Sequence, residues 1–248
     1  MIILSVLFFI TAILYSSVGF GGGSTYLALL LIWDIPYFIF PIIALLCNII
    51  VVSGNSFNYL RAGNHNFKLL LPFLIGSVPL AFLGGTLKID KEIFEILLFF
   101  VLSIAGFLLL INNKSYANNN LIVKKLNFFI SLFIGSVLGL ISGIVGIGGG
   151  IFLSPILFLI KAEKPKVIVT TASLFILINS ISGILGQLTK ENILSSISEY
   201  ISLFICVFIG GLLGNYLNLK IFTSRVLAII TSMLVIFVSI RMGIRIFL

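Results

Sequence analysis

Residues 17–24 read SVGFGGGS, and residues 143–150 read GIVGIGGG. Both stretches contain a GxGGG cluster, at residues 19–23 and again 127 residues later at 146–150. Each cluster follows a long apolar run and precedes a run of about ten apolar residues. A ten-residue helix is about 15 Å long, which is half the thickness of the bilayer core. The clusters therefore predict a Gly-rich broken or re-entrant helix pair at the start of each half of the chain.

The composition predicts a membrane protein. Hydrophobic residues make up 60% of the 248 residues and charged residues 9%, whereas a soluble domain carries roughly 25% charged residues. A soluble chain of this size could not cover so much apolar surface. This excludes a soluble enzyme, a secreted disulfide scaffold and a disordered chain. The net charge of +8 is spread over short polar gaps, so the sequence shows no basic stripe for binding nucleic acid.

Apolar runs separated by polar gaps predict eight long helices and two short ones. The long runs cover residues 1–18, 36–60, 67–87, 93–111, 126–145, 167–187, 197–219 and 224–247, and the short runs cover 24–33 and 151–160. An Asn/Lys-rich linker, 112–125, separates a first transmembrane repeat, 1–111, from a second, 126–248. Further landmarks of the repeat are Ile75-Gly76 with Ile209-Gly210, and Asn64 with Asn192. The predicted fold is all-α, a polytopic transmembrane helical bundle of two homologous halves.

The cations distinguish two topologies. If each glycine cluster lies within one crossing, eight cations fall on one side and seven on the other, and the positive-inside rule gives no orientation. If each cluster is the tip of a hairpin, the cations divide ten to five, and six of the seven acids fall on the cation-poor side. We favour the hairpin topology. It makes the halves inverted repeats and places both termini on the non-cytoplasmic side of the membrane.

The glycine clusters are also the predicted binding site. Non-helical backbone at membrane depth must be buried in protein or line a cavity, and paired breaks at matching positions point to a transporter site. The helix that follows each break offers free N–H groups and the positive end of its dipole to an anion. Polar residues of the second long helix in each half either face that cavity or join helices by hydrogen bonds. The predicted substrate-binding residues are Gly21, Gly22, Gly23, Ser24, Thr25, Asn48, Asn55, Gly148, Gly149, Gly150, Thr170, Thr171 and Asn179.

The two halves differ after the glycines. Ser24 and Thr25 could cap the first short helix or donate hydroxyl hydrogen bonds, whereas the matching positions in the second half are Ile151 and Phe152. One half is therefore expected to contribute more to substrate choice. The remaining helical glycines are expected to allow close helix packing. These are Gly76, Gly84, Gly85, Gly135, Gly139, Gly210 and Gly214.

Other residues give no sign of catalysis. Cys47 and Cys206 form no metal-binding spacing, and His65 is the single histidine. There is no Walker A sequence and no mid-span carboxylate. Arg241 and Arg245 lie near the end of the last run, where they either snorkel to the membrane surface or attract an anion. The sequence predicts no enzyme activity, no metal and no cofactor.

The chain resembles the sulfite exporter TauE/SafE family of permeases, also called the TSUP family. The resemblance rests on the two Gly-rich breaks, on Asn58–Asn64 (NYLRAGN) and on the glycine-spaced helix from Gly76 to Gly85. It covers nearly the whole chain. It implies an inner-membrane secondary transporter for a sulfur-containing anion such as sulfite, thiosulfate, sulfoacetate or a taurine-derived compound.

The leading hypothesis is an alternating-access permease for such an anion. An anion channel and a non-transporting membrane scaffold or assembly factor are the alternatives. The expected partners are a small anionic substrate and the lipid bilayer, without nucleic acid, and homo-oligomer formation is left open.

Overall fold

The computed structural model describes residues 1–17, 19–111, 126–190, 197–217 and isolated residues between 233 and 244. Within these residues the chain forms nine α-helices, two single 3₁₀ turns and no strand. The helices are α1 (Ile2–Ser16), α2 (Gly23–Ile32), α3 (Phe40–Arg61), α4 (Phe67–Thr86), α5 (Lys91–Ile111), α6 (Phe128–Val145), α7 (Gly150–Leu159), α8 (Pro165–Gln187) and α9 (Ile201–Leu217). The 3₁₀ turns, Tyr37–Ile39 and Ser198–Tyr200, precede α3 and α9. The all-α prediction is confirmed.

The helices have the lengths and surfaces of a multi-pass membrane protein. Five segments in the described part of the chain are long and apolar enough to cross a bilayer: Tyr37–Arg61, Phe67–Thr86, Phe128–Val145, Pro165–Gln187 and Ser198–Leu217. The two predicted short helices, α2 and α7, are ten residues each. Large apolar side chains such as Phe107, Phe129 and Phe133 are exposed on the outside, as expected for a surface that faces lipid. The linker 112–125, Asn192, Arg241 and Arg245 lie outside the described residues.

The predicted duplication recurs in the backbone. Three pairs of residues with positive φ are separated by the same 127 positions as the glycine clusters. The pairs are Gly19 and Gly146 (φ 85° and 88°), Gly22 and Gly149 (84° and 75°), and Asp34 and Lys161 (51° and 53°). The first pair follows α1 and α6, the second begins α2 and α7, and the third ends the short helices. Each half therefore opens with the same long helix, left-handed turn, short helix and left-handed turn.

Helices α1 and α9 pair in the same way as α6 and α4. Gly76 and Gly84 of α4 lie against the Leu132 and Leu140 carbonyls of α6, so these two helices run parallel. Gly210 of α9 lies against Phe9 of α1, and Gly214, one turn later, lies against Ile13, so this pair is parallel as well. The landmark glycines Gly76 and Gly210 thus make equivalent contacts, each on the first helix of the other half.

Helices α3 and α8 run antiparallel through the centre. Ser56 Oγ and Ser173 Oγ are 3.0 Å apart, whereas Leu45, near the start of α3, contacts Gly183, near the end of α8. These are the two most buried of the five spans. α9 is parallel to α3, because Val51 and Gly54 lie beside Gly211 and Asn215. α4 is parallel to α8, because Ser182 Oγ donates to the Val78 carbonyl and Gly186 lies against Phe82.

These directions sort the charged residues to two ends of the bundle. The basic end holds the end of α3 and the starts of α4 and α8; its charged residues are Arg61, Lys68, Lys161, Glu163, Lys164 and Lys166. The acidic end holds the start of α3 and the ends of α4 and α8. Phe94 of α5 packs on Tyr37 and Phe40 there. The described charged residues of this end are Asp34, Lys88, Asp90, Lys91, Glu92, Glu95, Lys190 and Glu199.

The glycines predicted to allow close packing do so. Each of the seven has a backbone atom of a neighbouring helix so close that an added Cβ would overlap it. Gly135 and Gly139, for example, lie against the carbonyls of Phe73 and Ser77. Since lipid tails are as apolar as leucine, close van der Waals packing is a main attraction between membrane helices. The α4–α6 and α1–α9 pairs therefore depend on the absence of a side chain at these positions.

We predict that Gly214→Ala destabilises the protein while Gly211→Ala does not. A Cβ at Gly214 would overlap the Ile13 carbonyl and lie 2.8 Å from Ser16 Cβ, whereas at Gly211 the nearest atom, Val51 Cα, is 3.7 Å away. Overpacking costs about 1–3 kcal/mol, so the melting temperature of Gly214→Ala in detergent should fall by roughly 3–10 °C. Gly211→Ala, on the same helix, should match or exceed the parent, since alanine is the better helix former. Equal melting temperatures would contradict the packing role.

Candidate functional site

The two glycine-rich segments lie along the line of contact between α3 and α8, which we call the central seam. Its residues are Pro41, Asn48, Ser56 and Tyr59 of α3 and Val169, Ser173, Ile176 and Ser180 of α8. Gly19 lies beside Tyr59 and Val169 near the basic end, and Gly21 lies beside Asn48 and Ile176. Residues 19–22 therefore cover the half of the seam that leads to the basic end.

The second segment covers the other half. Gly146 lies against Pro41 near the acidic end, and Gly148 lies beside Asn48, Ile176 and Ser180. A Cβ at Gly148 would be 2.7 Å from Asn48 Nδ2. The two segments thus approach the same asparagine from opposite ends of the seam.

The segments also touch each other. A Cβ at Gly23 would be 2.7 Å from the Ile147 carbonyl oxygen and 2.8 Å from Asn48 Nδ2. A Cβ at Gly150 would likewise overlap the Ile176 side chain of α8. No residue larger than glycine fits at Gly21, Gly23, Gly148 or Gly150 without displacing a neighbour, which explains why the sequence repeats glycine at these places.

Two helix N-termini open at this meeting point. α2 and α7 begin at Gly23 and Gly150, and their N-cap residues, Gly22 and Gly149, are left-handed. Neither N-cap has a capping side chain among the described residues. The first N–H groups of a helix have no intrahelical acceptor, and the aligned peptides place about half a positive charge at that end. The site therefore combines two sets of N–H donors with two positive dipole ends.

Asn48 is the polar side chain at the centre. It is 0% exposed, and neither Nδ2 nor Oδ1 has a hydrogen-bond partner among the described residues. Leaving a buried amide unpaired costs about 1–3 kcal/mol. An amide in this position is free to donate to a bound anion. The side chains nearest to the segments here, Asn48, Ile176 and Ser180, are uncharged.

Ser24 and Thr25 lie in the first turn of α2, and their predicted capping role is wrong because Gly22 is the N-cap. Thr25 Oγ1 is instead 2.7 Å from the Tyr15 hydroxyl. Ser24 Oγ is buried without a partner in the described part of the chain. Of the two hydroxyls, that of Ser24 remains available at the helix start.

Four predicted residues are not among the nearest neighbours of the glycines in the described structure. Thr170 and Thr171 donate to the Lys166 and Val167 carbonyls of their own helix. Asn179 Nδ2 donates to the Phe175 carbonyl, and Asn55 Nδ2 is 3.4 Å from Ser16 Oγ. Only Asn55 bonds to another helix, as the alternative of joining helices expects; the other three bond within α8, and Asn55 Oδ1 and Asn179 Oδ1 have no partner among the described residues.

Sequence reasoning missed Ile176. An isoleucine in an apolar helix carries no polar signal, yet Ile176 contacts Gly21, Gly148 and Gly150. The repeat could have revealed it, because position 176 follows Asn48 by 128 residues, close to the 127-residue offset of the glycines. The polar residue of one half thus has an apolar counterpart in the other.

A separate cavity of about 200 Å³ lies at the acidic end, between the end of α2, the turn before α3 and the start of α5. Its polar lining includes Asp34, Glu95 and Lys91, and Lys91 Nζ is 3.9 Å from Glu95 Oε1. Two carboxylates against one ammonium make this cavity a poor site for an anion. The glycine segments remain the better candidate.

Short helices whose N-termini meet inside a multi-pass helical bundle are characteristic of membrane transporters. The comparisons with known proteins agree: the model of the sulfite exporter TauE/SafE family matches residues 4–242. The chain belongs to this family, as the resemblance indicated, and it is a multi-pass membrane protein of a transporter family.

Curated relatives carry general names. The probable membrane transporter protein y4hK of Sinorhizobium fredii is 24% identical, over 93% of both chains. The probable membrane transporter protein YunE of Bacillus subtilis is 22% identical over 94% of both. The probable membrane transporter protein MJ0441 of Methanocaldococcus jannaschii is 30% identical over 74% of this chain and 70% of its own. No solved structure is significantly similar to this chain.

We predict that Asn48→Leu raises the stability of the ligand-free protein. Leucine has the same branching and number of side-chain heavy atoms, and it removes an unpaired polar group that costs about 1–3 kcal/mol. Thermal unfolding in detergent should shift upward. If Asn48 instead joined helices by hydrogen bonds, the same variant would unfold at a lower temperature.

Gln187→Met is the matched control. Gln187 is also buried, but its Nε2 donates to the Gly143 carbonyl and its Oε1 accepts from Lys190 Nζ, both at 2.8 Å. Its replacement leaves a carbonyl near the end of α6 without its donor, so this variant should be destabilised. Melting-temperature shifts of opposite sign in the two variants would distinguish an asparagine kept for binding from a glutamine kept for structure.

Proposed function

We propose that this protein is a secondary transporter that moves a small sulfur-containing anion, such as sulfite, thiosulfate or an organosulfonate, across the membrane by alternating access. The observation that carries the proposal is that two uncapped helices begin around the unpartnered amide of Asn48: Gly23 at the start of α2 lies beside it, and so does Gly148, next to the N-cap of α7. The family's description as sulfite exporters supports the sulfur class.

The chemistry of the site suits such an anion. The first N–H groups of α2 and α7, Asn48 Nδ2 and the Ser24 hydroxyl are hydrogen-bond donors, and sulfite and sulfonates present three acceptor oxygens. Two helix N-termini together offer about one positive charge. This balances a monoanion such as hydrogensulfite or a simple sulfonate, and half the charge of thiosulfate, without a lysine or arginine in the membrane interior, where a fixed cation would be costly.

The packing supports inverted repeats. Helices α1, α3 and α4 of the first half each run opposite to their counterpart in the second half: α1 opposes α6, α3 opposes α8 and α4 opposes α9. The positive-inside rule then favours a cytoplasmic basic end and non-cytoplasmic termini. Burial and the nearby Lys88 lower the pKa of Lys190 to about 8, so this cation of the acidic end loses its charge only as the pH rises through about 8. The inner membrane is the proposed location.

The two segments suggest how access alternates. Residues 19–22 cover the seam toward the basic end and residues 146–149 cover it toward the acidic end, with the site where they meet. Displacing the first segment with its helices would open the site to one side, and displacing the second would open it to the other. Two covers over one central site are what alternating access requires.

We predict that a sulfur-containing anion raises the melting temperature of the purified protein. A ligand at 100 times its Kd stabilises the folded state by about 2.7 kcal/mol. The panel is sulfite, thiosulfate, sulfoacetate, taurine, isethionate, sulfate, phosphate and acetate. The shift should disappear in Asn48→Leu and persist in Gly211→Ala. The absence of a shift with every anion would contradict the proposed substrate class.

Transport in proteoliposomes separates the permease from its alternatives. A carrier loaded with unlabelled substrate should give a counterflow overshoot of labelled substrate, and Asn48→Leu should abolish it. Uptake without an overshoot would favour the channel. Stabilisation without any flux would favour the scaffold.

We predict that Glu92→Cys is labelled from outside the cell and Lys164→Cys only after permeabilisation. Both positions are exposed and lie at opposite ends of the bundle. A membrane-impermeant maleimide on intact cells is the measurement, in a Cys206→Ser background that leaves only the buried Cys47. Labelling of both cysteines from the same side would overturn the inverted topology.

A further inference from the structure

The binding site has one polar wall and one apolar wall. Asn48 and Ile176 occupy equivalent places in the two halves: Gly21 and Gly23 lie on Asn48, and Gly148 and Gly150 lie on Ile176. Each also reaches across, since Gly148 contacts Asn48 and Gly21 contacts Ile176. Both side chains are buried, Asn48 at 0% and Ile176 at 3% exposure.

The first turns of the short helices repeat this difference. Ser24 Oγ, beside the start of α2, is buried and without a partner in the described part of the chain, whereas α7 has Ile151 at the matching position. The backbone N–H groups are present on both sides. At the two equivalent positions only Asn48 adds a donor; on the side of Ile176 the nearest side-chain donor is the Ser180 hydroxyl beside Gly148, which is also without a partner in the described part of the chain.

Because of this difference, the site should favour some anion shapes over others. An oxygen pressed against the isoleucine side chain loses its hydration without gaining a hydrogen bond, which is unfavourable. Sulfate and phosphate carry four oxygens in a tetrahedron, so one of them must face the apolar wall when three are bound. Sulfite has a lone pair in that direction, thiosulfate a terminal sulfur, and a sulfonate a carbon atom.

We propose that Ile176 is the specificity-determining residue of the site: it selects anions with an oxygen-free face and rejects anions with four equivalent oxygens. The inference rests on the proposed function, because it assigns a role within the same anion site. The inference adds to the proposed function the residue that selects the anion and the feature of the anion that this residue recognises, a face without oxygen.

The test compares Ile176→Asn with Ile176→Val. Asparagine places a second amide at the position equivalent to Asn48, and valine keeps the wall apolar with one carbon fewer. The Kd values of sulfite, methanesulfonate and sulfate are obtained from the concentration dependence of the melting temperature. The parent and Ile176→Val should prefer methanesulfonate to sulfate by about tenfold to a hundredfold, the range over which a hydrophobic pocket discriminates.

Ile176→Asn should lower that preference by at least about tenfold, chiefly by a lower Kd for sulfate. An unchanged preference in this variant would overturn the inference. So would a parent protein that binds sulfate as tightly as methanesulfonate. A parent that is stabilised by none of the anions would instead contradict the proposed function itself, so the two failures are distinguishable.

A second pair of variants guards against loss of folding. Ile176→Thr has the shape of Ile176→Val with one methyl group replaced by a hydroxyl, and relative to Ile176→Val it should move the preference in the same direction as Ile176→Asn by a smaller factor. The double variant Asn48→Ile/Ile176→Asn exchanges the two residues and so moves the polar wall to the other half. It should recover binding that Asn48→Ile alone has lost, because both residues reach both glycine segments. A folded double variant that does not bind would show that the two walls are not equivalent, contrary to the proposal.

Discussion

The structure depends on one constraint: backbone N–H and C=O groups inside a bilayer need partners within the protein. Two non-helical segments can exist at this depth because they lie on the seam between α3 and α8 and against each other. These two helices are the most buried of the five spans. The constraint also makes the site, since the groups left unpaired where the short helices begin are the groups that can bind an anion.

The outer helices pack closely around the central seam. Glycine brings α4 within backbone contact of α6, and α9 within contact of α1, so each half holds the first helix of the other. Such contacts allow little rearrangement, because the carbonyl of one helix already touches the Cα of its neighbour. We expect these pairs to move as units, and the contacts of the glycine segments along the seam, many of which are to side chains, to change in the proposed alternating access.

The sequence predicted the helices well, and it predicted in part which residues lie together at the candidate site. Among the described residues, helix ends fall within a few residues of the apolar runs, because the thickness of the bilayer core sets the length of each span. The glycine clusters and Asn48 were predicted since small and polar residues inside apolar runs are conspicuous. Local patterns could not show that segments 127 residues apart meet at Asn48, nor that Thr25 is bonded to Tyr15. They also could not distinguish the back-bonded Thr170 and Thr171 from residues that face the site.

The site is polar at Asn48 and apolar at the equivalent Ile176, and a balance between stability and binding accounts for this difference. An unpaired buried amide costs about 1–3 kcal/mol in the ligand-free protein, and the whole fold is stable by only about 5–15 kcal/mol. A second asparagine at position 176 would double that cost. In the proposed anion site it would also offer a fourth oxygen a hydrogen bond that Ile176 does not. An apolar residue at this position therefore limits the instability of the empty site and, under the proposal, narrows the range of bound anions by the same contact.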